Sequence, residues 1–206
     1  MTDDNQEIEI KIKLKDAGAL RRKVMDMGAT IVHPRTFERD VMYDDGKGFF
    51  EAPKVLRLRQ FEDGRALLTY KEPLPGEKHQ HLLERTEIQV WVTDAQEMDK
   101  IIQKLGFFPY RIKEKYAEHV KLKGFELEFH TLPFIGDFLE IEATEEKLEE
   151  FLPTLGFSLG DGINNDYTGL YETYCETVGI PMGVPQSFEE EKKYRSGGAV
   201  ENRAQN

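Results

Sequence analysis

Charged and aliphatic residues alternate without interruption near the start of the chain, in the segment QEIEIKIKL at residues 6–14. A period of two places successive side chains on opposite faces of a β-strand, and β-branched Ile favours that conformation. The pattern therefore predicts a strand with one aliphatic and one charged face. The aliphatic face carries Ile8, Ile10, Ile12 and Leu14, and the charged face carries Glu7, Glu9, Lys11 and Lys13.

Seven further segments have strand-like composition, and many are joined by short turns such as Glu62-Asp63-Gly64. We predict the additional strands at residues 30–44, broken by Pro34, and at 54–61, 65–71, 82–92, 108–121, 125–131 and 138–144. Residues 73–81 are expected to form a polar loop. Turn-rich connections between alternating segments favour an antiparallel sheet.

Helical periodicity interrupts the strands in four places, at about residues 16–27, 95–105, 145–155 and 165–176. Asp16 and Asp94 are suitable N-caps, and Gly28 and Gly106 follow the first two helices at the C′ position. In the last helix, Tyr167, Tyr171 and Tyr174 are spaced to form one packing face.

The charged strand faces allow two architectures. An open sheet would expose them to solvent, whereas a closed sheet would turn them inward, with helices covering the aliphatic outside. We favour the second, an α+β fold built on an eight-stranded antiparallel closed β-barrel. Residues 1–178 would form this domain, and residues 179–206 a tail that is mobile or loosely docked.

The composition is that of a highly charged globular protein, with 39% hydrophobic and 33% charged residues among 206. The polar first residues do not resemble a signal peptide, and no apolar run has the length of a membrane span. A single cysteine, Cys175, excludes a disulfide framework. A cytoplasmic protein without a membrane partner is the default expectation.

The net charge of −11 argues against general nucleic-acid binding, which needs a broad basic surface. Basic residues are nevertheless concentrated in the predicted middle strands. A local basic pocket for a small polyanion is the better interpretation.

Four charged pairs are separated by one residue, so each pair lies on one face of its strand. They are Glu7/Glu9, Arg57/Arg59, Lys113/Lys115 and Glu140/Glu142. Any single pair is more often a solvated face, but four pairs sorted by sign are hard to explain in that way. Facing carboxylates would suit Mg²⁺ or Mn²⁺, and facing cations would suit a polyphosphate.

These motifs are similar to those of the CYTH superfamily, the triphosphate tunnel metalloenzymes. The first is the Glu-x-Glu-x-Lys signature at residues 7–11, and VLRLR, LTYK, ERTE, IKEKY and GDFLEIE follow in the family's order, ending at residue 142. The resemblance covers about residues 6–175 and is greatest to bacterial class IV adenylate cyclases. It implies a tunnel that binds a triphosphate and one or two divalent ions.

The resemblance also implies roles for individual residues. The residues implied to bind metal are Glu7, Glu9, Glu87, Glu128, Glu140 and Glu142. The residues implied to be catalytic are Glu9, Lys11, Lys71 and Glu140. Triphosphate binding falls to Lys11, Lys13, Arg57, Arg59, Lys71, Arg85, Arg111, Lys113 and Lys115. Three positions depart from the family's usual residues: Glu128 replaces Asp, Gln89 replaces Glu and Lys115 replaces Arg.

The leading hypothesis is a Mg²⁺- or Mn²⁺-dependent enzyme that converts ATP to cyclic AMP and pyrophosphate. The first alternative is an inorganic or thiamine triphosphatase that uses the same tunnel, and the second is a non-catalytic module that binds nucleotide or polyphosphate. A homodimer is compatible with each. The five histidines have no clear metal-ligand spacing beyond His79-x-His81, and we expect them to be solvated or structural.

Overall fold

The computed structural model describes residues 6–49, 52, 54–74 and 80–196. His79, most of the predicted 73–81 loop and residues 197–206 of the predicted tail lie outside this part of the chain. Within it, no helix has the length and apolarity needed to cross a bilayer.

Eight antiparallel strands close into a barrel, as predicted, with neighbours in the order β1-β5-β4-β3-β2-β6-β7-β8. The strands are β1 (Gln6–Lys13), β2 (Thr30–Asp44), β3 (Val55–Phe61), β4 (Ala66–Pro73), β5 (Leu82–Val92), β6 (Phe108–Leu122), β7 (Phe125–Leu132) and β8 (Gly136–Glu142). The helices are α1 (Ala17–Asp26), α2 (Ala95–Lys104), α3 (Glu145–Leu155), α4 (Tyr167–Val178) and α5 (Phe188–Ser196).

The aliphatic faces of the strands point outward and are covered by helices. Ile10 and Ile12 of β1 are buried in one cluster with Val24 of α1 and Leu152 of α3. Burying aliphatic side chains of this size stabilises the fold by about 1.5–3 kcal/mol each. The outer core therefore obliges the alternate, charged side chains to face the barrel interior.

The helix α2 covers a second side of the barrel. Its Ile102 packs with Tyr43 of β2 and Leu58 of β3, and the Tyr43 hydroxyl donates a 2.7 Å hydrogen bond to Asp99. This packing fixes β2 and β3, whose opposite faces carry charged residues into the interior.

The predicted break at Pro34 is wrong, because β2 continues through it. The register between β2 and β6 shifts between His33 and Thr36. An irregular ladder of this kind accommodates a residue that lacks an N–H donor.

The segment after α4 is more ordered than the sequence predicts. The Gln186 amide donates to Ile112 O at 3.1 Å, and the Glu114 amide donates to Gln186 O at 2.8 Å, so this segment pairs with β6. Ile180 and Gln186 are buried. Only a few residues of this segment make these contacts, so its sequence shows no periodic apolar pattern from which the contacts could be predicted. Part of the predicted tail thus contacts the barrel, and both the domain boundary at 178 and the loose docking of the tail remain predictions.

Candidate active site

The barrel encloses a polar cavity of about 250 Å³. All but two of the predicted site residues line it, and they come from seven of the eight strands. They are Glu7, Glu9, Lys11, Arg57, Arg59, Lys71, Arg85, Glu87, Lys113, Lys115, Glu128, Glu140 and Glu142. The structure thus brings together side chains that are up to 135 positions apart in the sequence.

The two exceptions are Lys13 and Arg111. Lys13 is exposed at the end of β1, and Arg111 forms an ion pair with Glu172 of α4. Neither lines the cavity. Period-two spacing correctly predicts which face of the strand these two residues occupy. It does not predict how far the cavity extends along each strand, and both residues lie beyond its end.

Four cations on β3 and β6 form one half of the cavity, and two acidic residues of β2 lie between these strands. Asp40 accepts from Arg59 through both carboxylate oxygens, at 2.7 Å from Nε and 3.1 Å from Nη2. It also lies 3.6 Å from Arg57 and 3.4 Å from Lys113. Glu38 lies 3.0 Å from Arg59 and 3.4 Å from Lys115. We call this group the cationic half.

Asp40 and Glu38 are ionised although they are buried. Desolvation alone would raise their pKa values, but the charges of the surrounding cations outweigh it. The pKa of Asp40 is held well below its ordinary value by Arg59, Arg57 and Lys113, and that of Glu38 is lowered by Lys115 and Arg59. These two carboxylates hold the cations in place when no anion is bound.

Arg57 retains unused hydrogen-bonding capacity within this half. Its Nη2 donates to Thr69 at 3.1 Å, whereas its buried Nε has no hydrogen-bond partner among the described residues. A buried guanidinium donor without a partner costs free energy, and an anion in the cavity would satisfy it.

The ammonium group of Lys113 is buried in the cationic half. Burial lowers its pKa to about 8, and the neighbouring positive charges of Arg57 and Lys115 act in the same direction against the attraction of Asp40. The cationic half therefore has an excess of positive charge that favours an anionic ligand.

The opposite side of the cavity, on β1, β5 and β8, is acidic. Glu7, Glu9, Glu87 and Glu142 line it, and we call them the acidic half. The Lys71 ammonium lies 2.6 Å from Glu7 and 3.0 Å from Glu87. Desolvation and the charges of Glu9 and Glu87 nevertheless raise the pKa of Glu7 to about 8.

The pKa of Glu142 is also raised, by burial and by the charges of Glu87 and Glu9. Carboxylates whose mutual repulsion is not fully compensated, and which supply only oxygen ligands, match the preference of Mg²⁺ or Mn²⁺. The residues present therefore fit a hard divalent cation.

Lys11 of β1 lies beside the acidic half and is paired with two carboxylates. Its buried ammonium lies 3.1 Å from Glu140 and 3.6 Å from Glu9, and it donates to the Asn165 carbonyl at 3.2 Å. Although burial opposes ionisation, the charges of Lys11 and His130 hold the pKa of Glu140 well below its usual range. Glu140 is therefore an ionised carboxylate inside the barrel.

The start of α4 forms part of the cavity wall, which the sequence did not reveal. Asp166, Tyr167 and Thr168 line the cavity, and Asp166 lies 3.7 Å from Arg85. The Tyr167 ring lies 4.5 Å from the Lys11 ammonium. The tyrosine spacing predicted packing against the barrel but gave no sign that Tyr167 reaches its interior.

His130 is buried inside the barrel, between two carboxylates. Its Nε2 lies 3.0 Å from Glu128 Oε2, and its Nδ1 lies 3.1 Å from Glu140 Oε2 and 3.0 Å from the Tyr167 hydroxyl. Burial opposes ionisation of Glu128, but the hydrogen bond from His130 and its charge lower the pKa of Glu128 to about 2. The expectation of a structural His130 did not anticipate this position beside the cavity.

Comparisons with known proteins identify relatives of similar length. A Methanocaldococcus jannaschii protein named “Putative adenylate cyclase MJ0240” is 28% identical over 175 residues, which cover 80% of this chain and 97% of the relative. The PH1012 protein of Pyrococcus horikoshii is 26% identical in sequence, and its structure has a TM-score of 0.68 over 80% of this chain and 98% of that chain.

A more distant structure is that of HpAC1 from Hippeastrum, described as a putative adenylyl cyclase with a dominant triphosphatase activity. It is 16% identical, with a TM-score of 0.53 over 93% of this chain and 96% of that chain. At this identity the similarity supports the fold alone.

The CYTH domain model matches residues 5–156, which include β1 to β8 and α3. This match agrees with the closed barrel and with the charged interior, and the chain belongs to the CYTH family.

Proposed function

We propose that the protein is a divalent-metal-dependent enzyme that binds the phosphate chain of a triphosphate inside the barrel and cleaves it. The observation that carries this proposal is the separation of charge within one cavity, with the cationic half facing the acidic half. A polyphosphate with its metal ion has the complementary distribution of charge. Simple anion binding would not require the acidic half.

The cationic half would hold the phosphate oxygens. Arg57 would donate through its Nε, which has no hydrogen-bond partner in the part of the chain that the structure describes, and Lys113 and Lys115 would act as point charges. Asp40 fixes the Arg59 guanidinium before the substrate arrives, so this group needs little reorganisation. Preorganised cations stabilise charge that develops on phosphoryl oxygens during transfer.

The acidic half, together with Glu140, would hold Mg²⁺ or Mn²⁺. When bound, the metal ion neutralises phosphate charge and helps to align the phosphate chain. Lys71, at 2.6 Å from Glu7, orients that carboxylate and contributes a further positive charge near the phosphates.

The lining and size of the cavity favour a substrate that is recognised by its phosphate chain, and the reaction that we propose is hydrolysis of a triphosphate such as tripolyphosphate or thiamine triphosphate. Apart from Met42, Val55 and the Tyr167 ring, the described residues that line the cavity are charged or polar. The volume of about 250 Å³ is below the roughly 300–1,000 Å³ that is usual for sites that enclose larger organic ligands. The phosphate chain is therefore the recognised part of the substrate.

A second candidate is cyclisation of ATP to cyclic AMP and pyrophosphate, the activity that appears in the name of the M. jannaschii relative. Trp91 is 57% exposed and lies on the same face of β5 as Glu87 and Gln89. Its ring centroid is 5.6 Å from that of Phe61. This aromatic pair offers a stacking surface for a nucleobase beyond the cavity.

Product analysis tests the proposal directly. The protein would be incubated separately with ATP, tripolyphosphate and thiamine triphosphate, in the presence of Mg²⁺ or Mn²⁺. Phosphate release from these substrates identifies the hydrolase, whereas cyclic AMP and pyrophosphate from ATP identify the cyclase. The variants Glu9→Gln and Glu140→Gln are the inactive controls. If none of ATP, tripolyphosphate and thiamine triphosphate is converted with either metal, the protein is not a triphosphate-cleaving enzyme.

A further inference from the structure

The barrel contains a second group of metal-ligand atoms, distinct from the acidic half, and it includes two imidazoles. His119 of β6 and Glu128 and His130 of β7 present one ligand atom each, and these atoms all lie within 4.8 Å of one another. His119 Nδ1 lies 3.5 Å from Glu128 Oε1, and His130 Nε2 lies 3.0 Å from Glu128 Oε2. Ligand atoms around a tetrahedral ion are separated by about 3.3 Å when metal–ligand bonds are near 2.0 Å.

The strand pairing explains why these side chains meet. His119 is directly opposite Glu128 in the antiparallel ladder of β6 and β7, and His130 follows Glu128 by two residues on the same face. The ligands therefore belong to two adjacent, paired strands, and the rigid sheet fixes their separation. The backbone would not need to move for an ion to bind.

The surroundings of His130 supply the outer contacts that metal-bound histidines usually have. Coordination through Nε2 requires His130 to release its Nε2 proton to solvent and to keep the proton on Nδ1, which metal-bound histidines generally donate to a carboxylate or carbonyl. His130 Nδ1 lies 3.1 Å from Glu140 Oε2 and 3.0 Å from the Tyr167 hydroxyl. Both groups can hold the ring in the orientation that coordination needs.

Lys115 is the competing cation at this position. Its ammonium lies 2.9 Å from His130 Nε2 and 3.4 Å from Glu38. A bound metal ion would displace the ammonium from the imidazole, and Glu38 offers the displaced group a carboxylate partner.

We propose that His119, Glu128 and His130 bind a divalent transition-metal ion such as Zn²⁺, Co²⁺ or Mn²⁺, and that this site rejects Mg²⁺. Imidazole nitrogen suits transition metals, whereas Mg²⁺ strongly prefers oxygen ligands. Three protein ligands leave a coordination position for water or for a phosphate oxygen, and Glu128 itself lines the cavity. The site does not depend on which bond the enzyme cleaves.

Titration of the metal-free protein with Co²⁺, without a triphosphate, tests this proposal through the visible absorption of the ion. We expect a band that saturates at one equivalent and persists in excess Mg²⁺. His119→Gln should abolish the band or weaken Co²⁺ binding at least tenfold, because it removes a ligand at a half-buried position.

His33→Ala is the matched control, because His33 contacts the His119 ring at 5.3 Å between centroids but is not one of the three ligands. It should retain the band, as should Glu7→Gln, which alters only the acidic half. The proposal is overturned if the wild-type protein shows no band, if His119→Gln binds Co²⁺ like the wild type, or if Mg²⁺ displaces the ion. None of these outcomes bears on cleavage, which the product analysis tests separately.

Discussion

Asp40 and Arg59 form a two-pronged ion pair inside the barrel, with Oδ1–Nε and Oδ2–Nη2 separations of 2.7 and 3.1 Å. Asp40 is 1% exposed, so this interaction takes place away from solvent. The pair orients one guanidinium of the cationic half and limits the repulsion among Arg57, Arg59 and Lys113. In the free protein, the Asp40 carboxylate thus neutralises part of the positive charge that a bound phosphate chain would neutralise.

Asp40→Asn should lower the free energy of unfolding by about 3–5 kcal/mol, because it leaves buried cations without their common partner. Saturating tripolyphosphate should restore much of that stability. Urea denaturation with and without the ligand measures both effects. The exposed Glu97–Lys100 pair supplies the control, since Glu97→Gln should cost less than about 1 kcal/mol. Equal losses in the two variants would contradict the assignment.

Affinity should fall steeply from tripolyphosphate to pyrophosphate to phosphate, because each lost phosphate removes charge-assisted contacts. Arg57→Ala should weaken the binding of tripolyphosphate and of ATP by similar factors. Both ligands present a triphosphate chain to the Arg57 Nε, which has no partner among the described residues. Calorimetry with the wild type, with Arg57→Ala and with the control Arg22→Ala, at an exposed position of α1, measures this. Equal affinities for the three phosphates would rule out the cavity as a triphosphate site.

Binding of tripolyphosphate should be linked to proton uptake near pH 8. The pKa of Lys113 is about 8 in the free protein, so the ammonium is partly deprotonated there. A bound anion stabilises the charged form and raises this pKa, so protons enter on binding at pH 8 but not at pH 6, where Lys113 is already charged.

Calorimetry in two buffers that differ in ionisation enthalpy measures this uptake. Lys113→Met should take up fewer protons at pH 8 than the wild type, and the difference between the two proteins cancels the titration of the ligand itself. Identical uptake in both proteins would show that Lys113 is not involved.

Glu142→Gln should raise the melting temperature measured in EDTA and reduce the additional stabilisation produced by Mg²⁺ or Mn²⁺. The first effect follows because the substitution relieves repulsion with Glu87 and Glu9, and the second because an amide is a weaker ligand for a hard cation. Glu149→Gln, on the exposed side of α3, is the control and should change neither value. A full metal response in Glu142→Gln would remove this residue from the metal site.

A chain that ends at Gly183 should melt at a lower temperature than one that ends at Ser196. The shorter chain lacks the buried Gln186 and its two backbone hydrogen bonds to β6. Because these bonds flank Lys113, we expect weaker tripolyphosphate binding as well. Thermal melts and calorimetry of the two chains provide the comparison. Indistinguishable behaviour would show that the segment contributes nothing to the barrel.

The first strand and the arginine pair show how much of this site the sequence could predict. The alternation around Ile8 and Glu9 identified the face, and Arg57 and Arg59 identified the neighbouring cations, because period-two spacing is a local property. Glu38 and Asp40 have the same spacing, but Arg39 between them is also charged and hides the alternation. Their role depends on the pairing of β2 with β3 and β6.

Tyr167 could not be assigned from sequence, because its position results from α4 reaching the barrel interior, which is a tertiary contact with no local pattern. His130 differs, since it follows Glu128 by two residues on the same face of β7 and strand periodicity could have placed it inside the barrel. Arg111 illustrates the opposite error, since correct periodicity placed it on the inner face although its partner is Glu172 on α4. Strand periodicity gives the direction of a side chain but not the end of the cavity.

The closure of the barrel through β1 has a consequence for the order of folding. Glu9 of β1 pairs with Glu142 of β8, so the first strand cannot complete its pairing until nearly the whole barrel has been synthesised. Contacts between such distant residues generally slow folding. A barrel that is still open between β1 and β8 leaves its charged inner face accessible to water, so we expect the interior to lose that water only when this pairing forms.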